Sequence, residues 1–367
     1  MQRIRAMIIK ELLATVRDPR ARLTLILPPL LQLVVFALAT TLEVKNFDVG
    51  VLDTSGGAAS VAFEERLSGS RNVGRVVRLH SADELRAAID LQTVLAAVVI
   101  DQRFDRDVAA ARPARIGVVL DGRRSNAAQI VAGYLGAIAA SVGAELRPDT
   151  APQAGPASVL RNWFNPNLEY VWFTLPSLIV IICSVSALSV TAQSVARERE
   201  LGTFEQLLVS PLRTHEILIG KMVPPMLSGL FNGTLYLVAA ATVYGVPFTG
   251  SLLLFYTSLV VYLLSLIGVG MLVSTLSRTQ QQAFLGAFLV TVPATLLSGY
   301  AGPVDNMPAW LQTISLADPC RHYLVIVLGL FLKAMPAREV WLNTYPMVII
   351  AAVTLSAAFW LFKAKKE

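Results

Sequence analysis

Six stretches of this chain run for about twenty residues or more without a charged side chain, and that pattern restricts the fold more than anything else in it. A helix of that length, rising about 1.5 Å per residue, covers the ~30 Å hydrocarbon core of a bilayer. The stretches are Leu23 to Leu42 and then, approximately, 170–196, 222–244, 251–277, 282–300 and 340–362. Apolar residues make up 54% of the chain and charged ones 15%, a balance that a water-soluble chain of this length would not keep in solution. The first run has a rival reading as a cleaved signal ending at Ala37-Leu38-Ala39. A long amphipathic head and Pro28-Pro29 in mid-run speak against it.

Positive residues fix the direction of the spans, because they collect on the cytoplasmic side of short loops. Arg3, Arg5, Lys10, Arg17, Arg20 and Arg22 precede the first run, and Lys363, Lys365 and Lys366 follow the last. Both termini are therefore predicted cytoplasmic. Arg197, Arg199, Arg213, Lys221 and Arg278 fall on the same side, whereas the outer turn Gly245 to Gly250 carries no charge. The apolar run Tyr323 to Leu332 is too short to cross and is read as part of an outer re-entrant segment, 303–338. The expected fold is a polytopic α-helical membrane protein with six transmembrane helices and an α/β periplasmic domain inserted between helices 1 and 2. Its parts are an amphipathic helix in 1–22, helix 1 in 23–42, the domain and its linker in 43–165, and helices 2–6 in 166–367.

The insert alternates strand-like and helical stretches. Strands are expected at Val49 to Leu52, Arg75 to Leu79, Leu95 to Ile100 and Ile116 to Leu120. Helices are expected at Ala58 to Leu67, Ala82 to Asp90 and Asn126 to Leu146, the last capped by Ser125. Asp53-Thr54-Ser55 and Asp121-Gly122 end strands and are read as turn chemistry rather than a substrate site. Arg147 to Pro156, rich in proline and small residues, is the linker back to the membrane. The arginines of the insert do not oppose an outside location, since long domains translocate regardless of charge.

Several functions are excluded or left without support. The basic residues form no aromatic-laced face for nucleic acid. His80, His215 and His322 have no ligand spacing, so no metal is expected. No catalytic residue is assigned. Cys183 and Cys320 imply no disulfide framework, although a bridge between two copies of Cys320 stays open. Gly220-Lys221 lacks the upstream glycine of a phosphate loop, so no ATP or magnesium site is expected in this chain.

Two segments on the cytoplasmic side carry the functional signal. The first, Ile4 to Val16, places Ile4, Ile8, Ile9, Leu12, Leu13 and Val16 on one half of a helix, opposite Arg3, Lys10 and Arg17. It is expected to lie in the membrane interface, where lipid or a partner can cover Ile8 and Leu12. The second is the elbow 197–221. Arg197, Glu198, Arg199 and Glu200 end a helix, and Gly202 permits the turn. Thr203 and Gln206 stand at capping-box spacing, Glu205 suits the positive end of a new helix, and Pro211 stops it. A two-turn helix from Thr203 to Val209 cannot bury Leu207, Leu208 and Val209 against itself, so it rests on headgroups or in another protein's groove. Thr214 restarts the chain toward Lys221 and the third span.

The run from Arg197 to Leu212, RERELGTFEQLLVSPL, ending in Gly220-Lys221, resembles the signature of the ABC-2 type permease family. The resemblance extends to Asn165-Pro166, Ser298-Gly299, Met307-Pro308-Ala309-Trp310 and Asp318-Pro319, with aspartate where the family pattern leads one to expect asparagine. Lys10-Glu11, Arg17-Asp18-Pro19 and Leu120-Asp121-Gly122 resemble its multidrug-type branch. What this implies is a permease subunit of an exporter in a bacterial inner membrane, paired with a second copy or a sister chain. Each permease would dock on a cytosolic ATP-binding subunit, which holds the ATP and magnesium. Arg197, Glu198, Glu200, Gly202, Thr203, Glu205, Gln206, Leu207, Leu208, Pro211 and Lys221 are the implied ATPase-coupling residues, and Ile8, Lys10, Leu12 and Arg17 belong to the implied connecting helix. Arg278 to Gln282 would make a second contact. Val304 to His322 would form outer helices that dip back, and the domain would offer a dock for a periplasmic membrane-fusion adaptor.

A secondary transporter needs ionisable groups at membrane depth, and the six runs have none. The expected cargo is therefore bulky and largely apolar, drug-like or lipid-like, with Phe173, Phe284 and Phe288 as substrate-path candidates beside their plainer role in packing. Gly229 and Gly233 are spaced for close helix approach, where Asn232 could hydrogen-bond across the contact, and plain packing is the better reading of the three. Export of an ion such as sodium by the same complex is the alternative within the class. A membrane sensor relaying an external ligand is the alternative from another class.

Overall fold

The computed structural model describes residues 2–17, 27–35, 47–110, 112–121, 123, 125–146, 164–165, 169–209 and 212–364. The chain divides into two compact units, Met1–Thr40 with Asn162–Glu367, and Thr41–Arg161. The first unit opens with α1 (Gln2–Arg17) and α2 (27–35).

The second unit runs β1 (Phe47–Asp53), α3 (Ala58–Ser68), β2 (Val73–Arg78), α4 (Ala82–Asp90), β3 (Ala96–Ile100), α5 (Phe104–Ala109), β4 (Ile116–Leu120) and α6 (Ser125–Leu146). Its sheet has the order β2-β1-β3-β4, with β1 parallel to both neighbours and β4 antiparallel to β3. Each parallel pair needs a crossover, and α3 and α4 supply them. Alternation along β3 sends Ala96, Val98 and Ile100 into a core with Phe63, Leu67 and Leu135, and Ala97 toward Leu52 and Leu79 on the other face. The strands lie within two residues of their expected places, and α5 is an addition that no periodicity announced. Its Asp105 accepts from Ser55 Oγ and from Ala59 N, both at 2.6 Å, while Asp53 Oδ1 accepts from Ser55 N at 2.8 Å. The strand-end residues are thus consumed by turns, as turn chemistry requires.

The first unit resumes with α7 (Val171–Glu200), α8 (Phe204–Leu208), α9 (Thr214–Thr242), α10 (Leu252–Leu276) and α11 (Gln280–Leu297). A 3-10 turn (Val304–Asn306) then leads to α12 (Ala309–Ser315), α13 (Pro319–Leu332) and α14 (Ala337–Ala364). Among the described residues α7, α9, α10 and α14 are long and apolar enough to cross a bilayer, and α12 with α13 makes a fifth candidate bent by 78°. The first and fifth expected spans are not among these. One is described only over 27–35, and the other, α11, opens with three glutamines and has 18 residues. Asp18-Pro19, the Ala37 to Ala39 triplet, Arg147 to Pro156 and Pro166 lie outside the described residues.

Small residues let the helices close in. A Cβ on Gly229 would sit 2.3 Å from Leu263 Cδ2, and one on Gly233 would sit 2.7 Å from Leu259 Cδ2. The possible hydrogen bond of Asn232 does not form among the described residues: the side chain is buried at 1% exposure, and neither its Oδ1 nor its Nδ2 has a partner there. The glycines bring α9 against apolar leucines of α10, which have nothing to offer an amide. Tyr262 stacks on Tyr323 at 4.4 Å and donates to Val180 O at 2.9 Å. Its hydroxyl also lies 3.3 Å from Cys320 Sγ. Cys320 is therefore a buried residue of α13, 2% exposed, and a bridge between two copies through it is closed off.

Asp318 caps α13, its Oδ1 accepting from Cys320 N at 2.9 Å, while Pro319 takes the first helical position. Its other oxygen is buried without a partner among the described residues, and the residue is 7% exposed. Asp318 lies outside the six charge-free runs, as does Lys221 at the elbow, yet both are buried in the helical unit.

Candidate functional site at the elbow

The elbow is built by the way α7 ends. Gly202 takes φ +71°, its N–H donates to Arg199 O at 3.1 Å, and Thr203 N donates to Glu198 O at 2.9 Å. These two bonds close a Schellman turn, which satisfies the last carbonyls of α7 and reverses the chain. The capping box expected from Thr203 and Gln206 does not form. Thr203 has helical backbone angles, and its hydroxyl turns back to the carboxylate and carbonyl of Glu198. The Schellman turn has already drawn Thr203 toward Glu198, so α8 starts one residue later and is five residues long.

Three further ties hold α8 and the end of α7 in place. Arg199 Nη1 donates to Thr275 O and Ser277 O, each at 2.8 Å, capping the end of α10, and its guanidinium lies 4.8 Å from the centre of the Phe204 ring. Phe204 packs edge-on against Phe362 of α14 at 5.8 Å. Glu200 Oε2 accepts from Gln280 N at 2.8 Å, in the first turn of α11, where Thr279 and Gln282 cap the helix. The segment 278–282 is thus hydrogen-bonded to the end of α7, while Arg278, Thr279, Gln281 and Gln282 are exposed.

What α8 leaves uncovered is its far side. Glu205 and Gln206 are exposed, Leu201 is 63% exposed and Val209 is 86% exposed. The backbone of Leu207 and Leu208 is helical, and Pro211 lies outside the described residues. Arg197 is half-buried on α7.

The largest departure concerns Lys221. It was expected in the loop leading to the third span, but α9 starts at Thr214, where Arg213 N donates to Glu216 Oε2 at 2.8 Å. Two turns into that helix, Lys221 is 1% exposed. Its Nζ lies 3.1 Å from Glu11 Oε1 and 3.3 Å from Glu198 Oε1, and donates to Ser194 O at 3.2 Å. Lys10 reaches the same Glu198 carboxylate and lies 3.3 Å from Glu11. A buried ammonium is tolerated only with such partners, and they come from two helices beside its own, α1 and α7.

This cluster also sets the roll of α1. Ile4, Met7, Ile8, Glu11 and Leu12 face the bundle, with Met7 against Gly220, where a Cβ would come within 2.3 Å of Met7 Cγ. Ile9, Leu13 and Val16 are left exposed, at 45%, 42% and 60%, and Arg17 is exposed too. The apolar face expected from periodicity is therefore split, because Glu11 must reach Lys221. Sequence reasoning missed Glu11, Arg199 and Ser274, whose Oγ accepts from Val195 N at 2.9 Å. Glu11 and Arg199 stand within the motifs that carry the family resemblance, and Glu11 lies four residues after Met7 on the same side of the helix, but periodicity counts it only as polar.

The substrate-path candidates are not brought together. Phe173 is half-buried, stacked on Tyr300 at 6.1 Å and tilted against Tyr170 at 5.8 Å. Phe284 and Phe288, 48% and 61% exposed, share an apolar face of α11 with Leu285 and Leu289. That is the pattern of rings that pack or face lipid.

The family model for ABC-2 family transporter protein matches residues 21–360. The chain is 43% identical over 363 residues to the "Probable multidrug ABC transporter permease YbhR" of Escherichia coli, covering 99% of each. It is 31% identical over 373 residues to YbhS of the same description and organism, covering all of this chain and 97% of that one. Over 288 residues it is 31% identical to the "Inner membrane transport permease YhhJ" of Escherichia coli, covering 77% and 76%. The match runs through the helical unit, the elbow and the inserted domain alike, and the chain belongs to the ABC-2 family of transporter proteins.

Proposed function

We propose that this chain is the permease subunit of an ATP-driven exporter in a bacterial inner membrane and that α8 is its coupling helix. The observation that carries the proposal is the contrast across α8. Its first residue, Phe204, packs on Phe362 of α14 and under the Arg199 guanidinium, and Arg199 and Glu200 tie the adjoining end of α7 to α10 and α11, while Glu205, Gln206 and Val209 are presented to the surroundings. A five-residue helix held this firmly, with apolar surface left over, suits a cleft in a cytosolic ATP-binding subunit. That subunit binds ATP and magnesium, and this chain supplies the path.

In this reading the chain crosses the membrane six times with both termini in the cytoplasm, α2 and α11 belonging to the first and fifth crossings. The unit Thr41–Arg161 lies in the periplasm, where a membrane-fusion adaptor can dock on it, and α12 with α13 is a re-entrant cap on that side. The permease works with a second copy or a sister chain. Its cargo is bulky and largely apolar, in keeping with relatives named as multidrug permeases.

The test replaces Leu207 and Leu208 with glutamate. The expected result is loss of co-purification with the ATPase and of ATP hydrolysis stimulated by the permease in liposomes. Retention of both would remove α8 from the coupling role.

A further inference from the structure

Lys221 has no place in a docking surface. It is 1% exposed, two turns into α9, and cannot touch a partner chain. We infer that Lys221 is a positioning residue for transport, an ionic clamp that makes α1, the end of α7 and the start of α9 move as one body when α8 is displaced. The inference rests on the coupling role proposed for α8.

The geometry supplies the argument. Its Nζ lies within 3.3 Å of a carboxylate from α1 and a carboxylate from α7, and it also takes the Ser194 carbonyl. Glu198, in turn, accepts from Thr203, the residue that opens onto α8. A continuous chain of contacts therefore runs from α8 through Thr203 and Glu198 to Lys221 and Glu11. Beside these charges, Met7 of α1 lies against Gly220, the residue before the lysine. Apolar packing of that kind resists separation but allows sliding, since dispersion contacts have no direction. Charge-assisted bonds at about 3 Å fix both separation and register. Lys10, half-exposed, meets the same Glu198 from the outer side and closes the cluster there. The placement is also costly. A buried ammonium weakens a fold unless its partners hold, and an apolar residue would pack here at least as well. Stability alone does not call for a lysine at this point, whereas transmission of a displacement does.

The test uses the permease in complex with its ATPase in lipid nanodiscs, so that nucleotide and label reach both faces. Trp310, 64% exposed on α12, is replaced by cysteine, and the native cysteines are buried. The readout is the rate at which a maleimide labels the permease at that introduced thiol, with and without ATP, magnesium and vanadate. In the Trp310→Cys parent, nucleotide changes that rate. With Lys221→Met added, the complex assembles and hydrolyses ATP, and the nucleotide-dependent change falls by about tenfold, within the range of ordinary coupling free energies. Should Lys221→Met not assemble, Glu11→Gln/Glu198→Gln/Lys221→Met removes the buried charges together and gives the same readout. A full nucleotide response in whichever of these assembles overturns the clamp. Failure of the coupling role of α8 is a different result, since the Leu207→Glu/Leu208→Glu complex would then keep its ATPase.

Discussion

Two regions of the helical unit treat buried polarity in opposite ways. At the elbow Lys221 enters the bundle with Glu11, Glu198 and a backbone carbonyl already around it. Farther along, the Asn232 amide, Asp318 Oδ2 and the Tyr323 hydroxyl are buried with no partner among the described residues. The cost of an unpaired charge explains why the first arrangement is so complete, because one absent partner at an ammonium would take a large share of the fold's net stability. It does not explain the second. The Asn232 amide and the Tyr323 phenol are neutral and cost less to strand than a charge, and Asp318 keeps its other oxygen bonded to Cys320 N at 2.9 Å.

This contrast can be broken most sharply at Glu198. Glu198→Gln leaves Lys221 with a single carboxylate from α1 and should destabilise the permease by about 3–5 kcal/mol, while Glu11→Gln/Glu198→Gln/Lys221→Met should recover most of that loss. Thermal unfolding of the purified chain in detergent gives the comparison. Equal stability for the single and triple variants would mean that the charges are not a unit.

The next effect is steric. Gly220→Ala places a methyl 2.3 Å from Met7 Cγ and should cost about 1–3 kcal/mol by pushing α1 away. Met7→Ala in the same chain should return part of it. A double variant no more stable than Gly220→Ala would show that α1 is held by its charges and not by this contact.

The smallest effect is expected at the unpaired amide. Asn232→Leu nearly keeps the volume and removes two unsatisfied atoms, so stability should change by at most about 1 kcal/mol, in the stabilising direction. A clear loss of stability in the same unfolding assay would mean that the Asn232 amide is hydrogen-bonded in the folded chain.

Much of the architecture was legible in advance because its causes are local. Long charge-free runs place α7, α9, α10 and α14, alternation places the four strands, and Gly202 marks the turn, since each depends on neighbours along the chain. The elbow was legible for the same reason. Its cap was not: Thr203 and Gln206 have the spacing of a capping box, yet the Thr203 hydroxyl is taken by Glu198, which the Schellman turn brings close. The face of α1 was misjudged because helical periodicity sorts residues by polarity. It has no means of placing Glu11 inward, where an unseen lysine requires it.

The sequence by itself determined that this chain is built of long apolar helices suited to a membrane, where four of them lie, and which family it resembles. These follow from hydropathy, charge and a contiguous motif, all readable in one dimension. Only the tertiary structure decided that Lys221 belongs to the interior, that Arg199 caps α10 and that Asn232 is left without a partner among the described residues. Those outcomes depend on which side chains meet across 23 to 210 residues of chain, as Lys221 does with Glu198 and Glu11, and no local pattern records such a meeting.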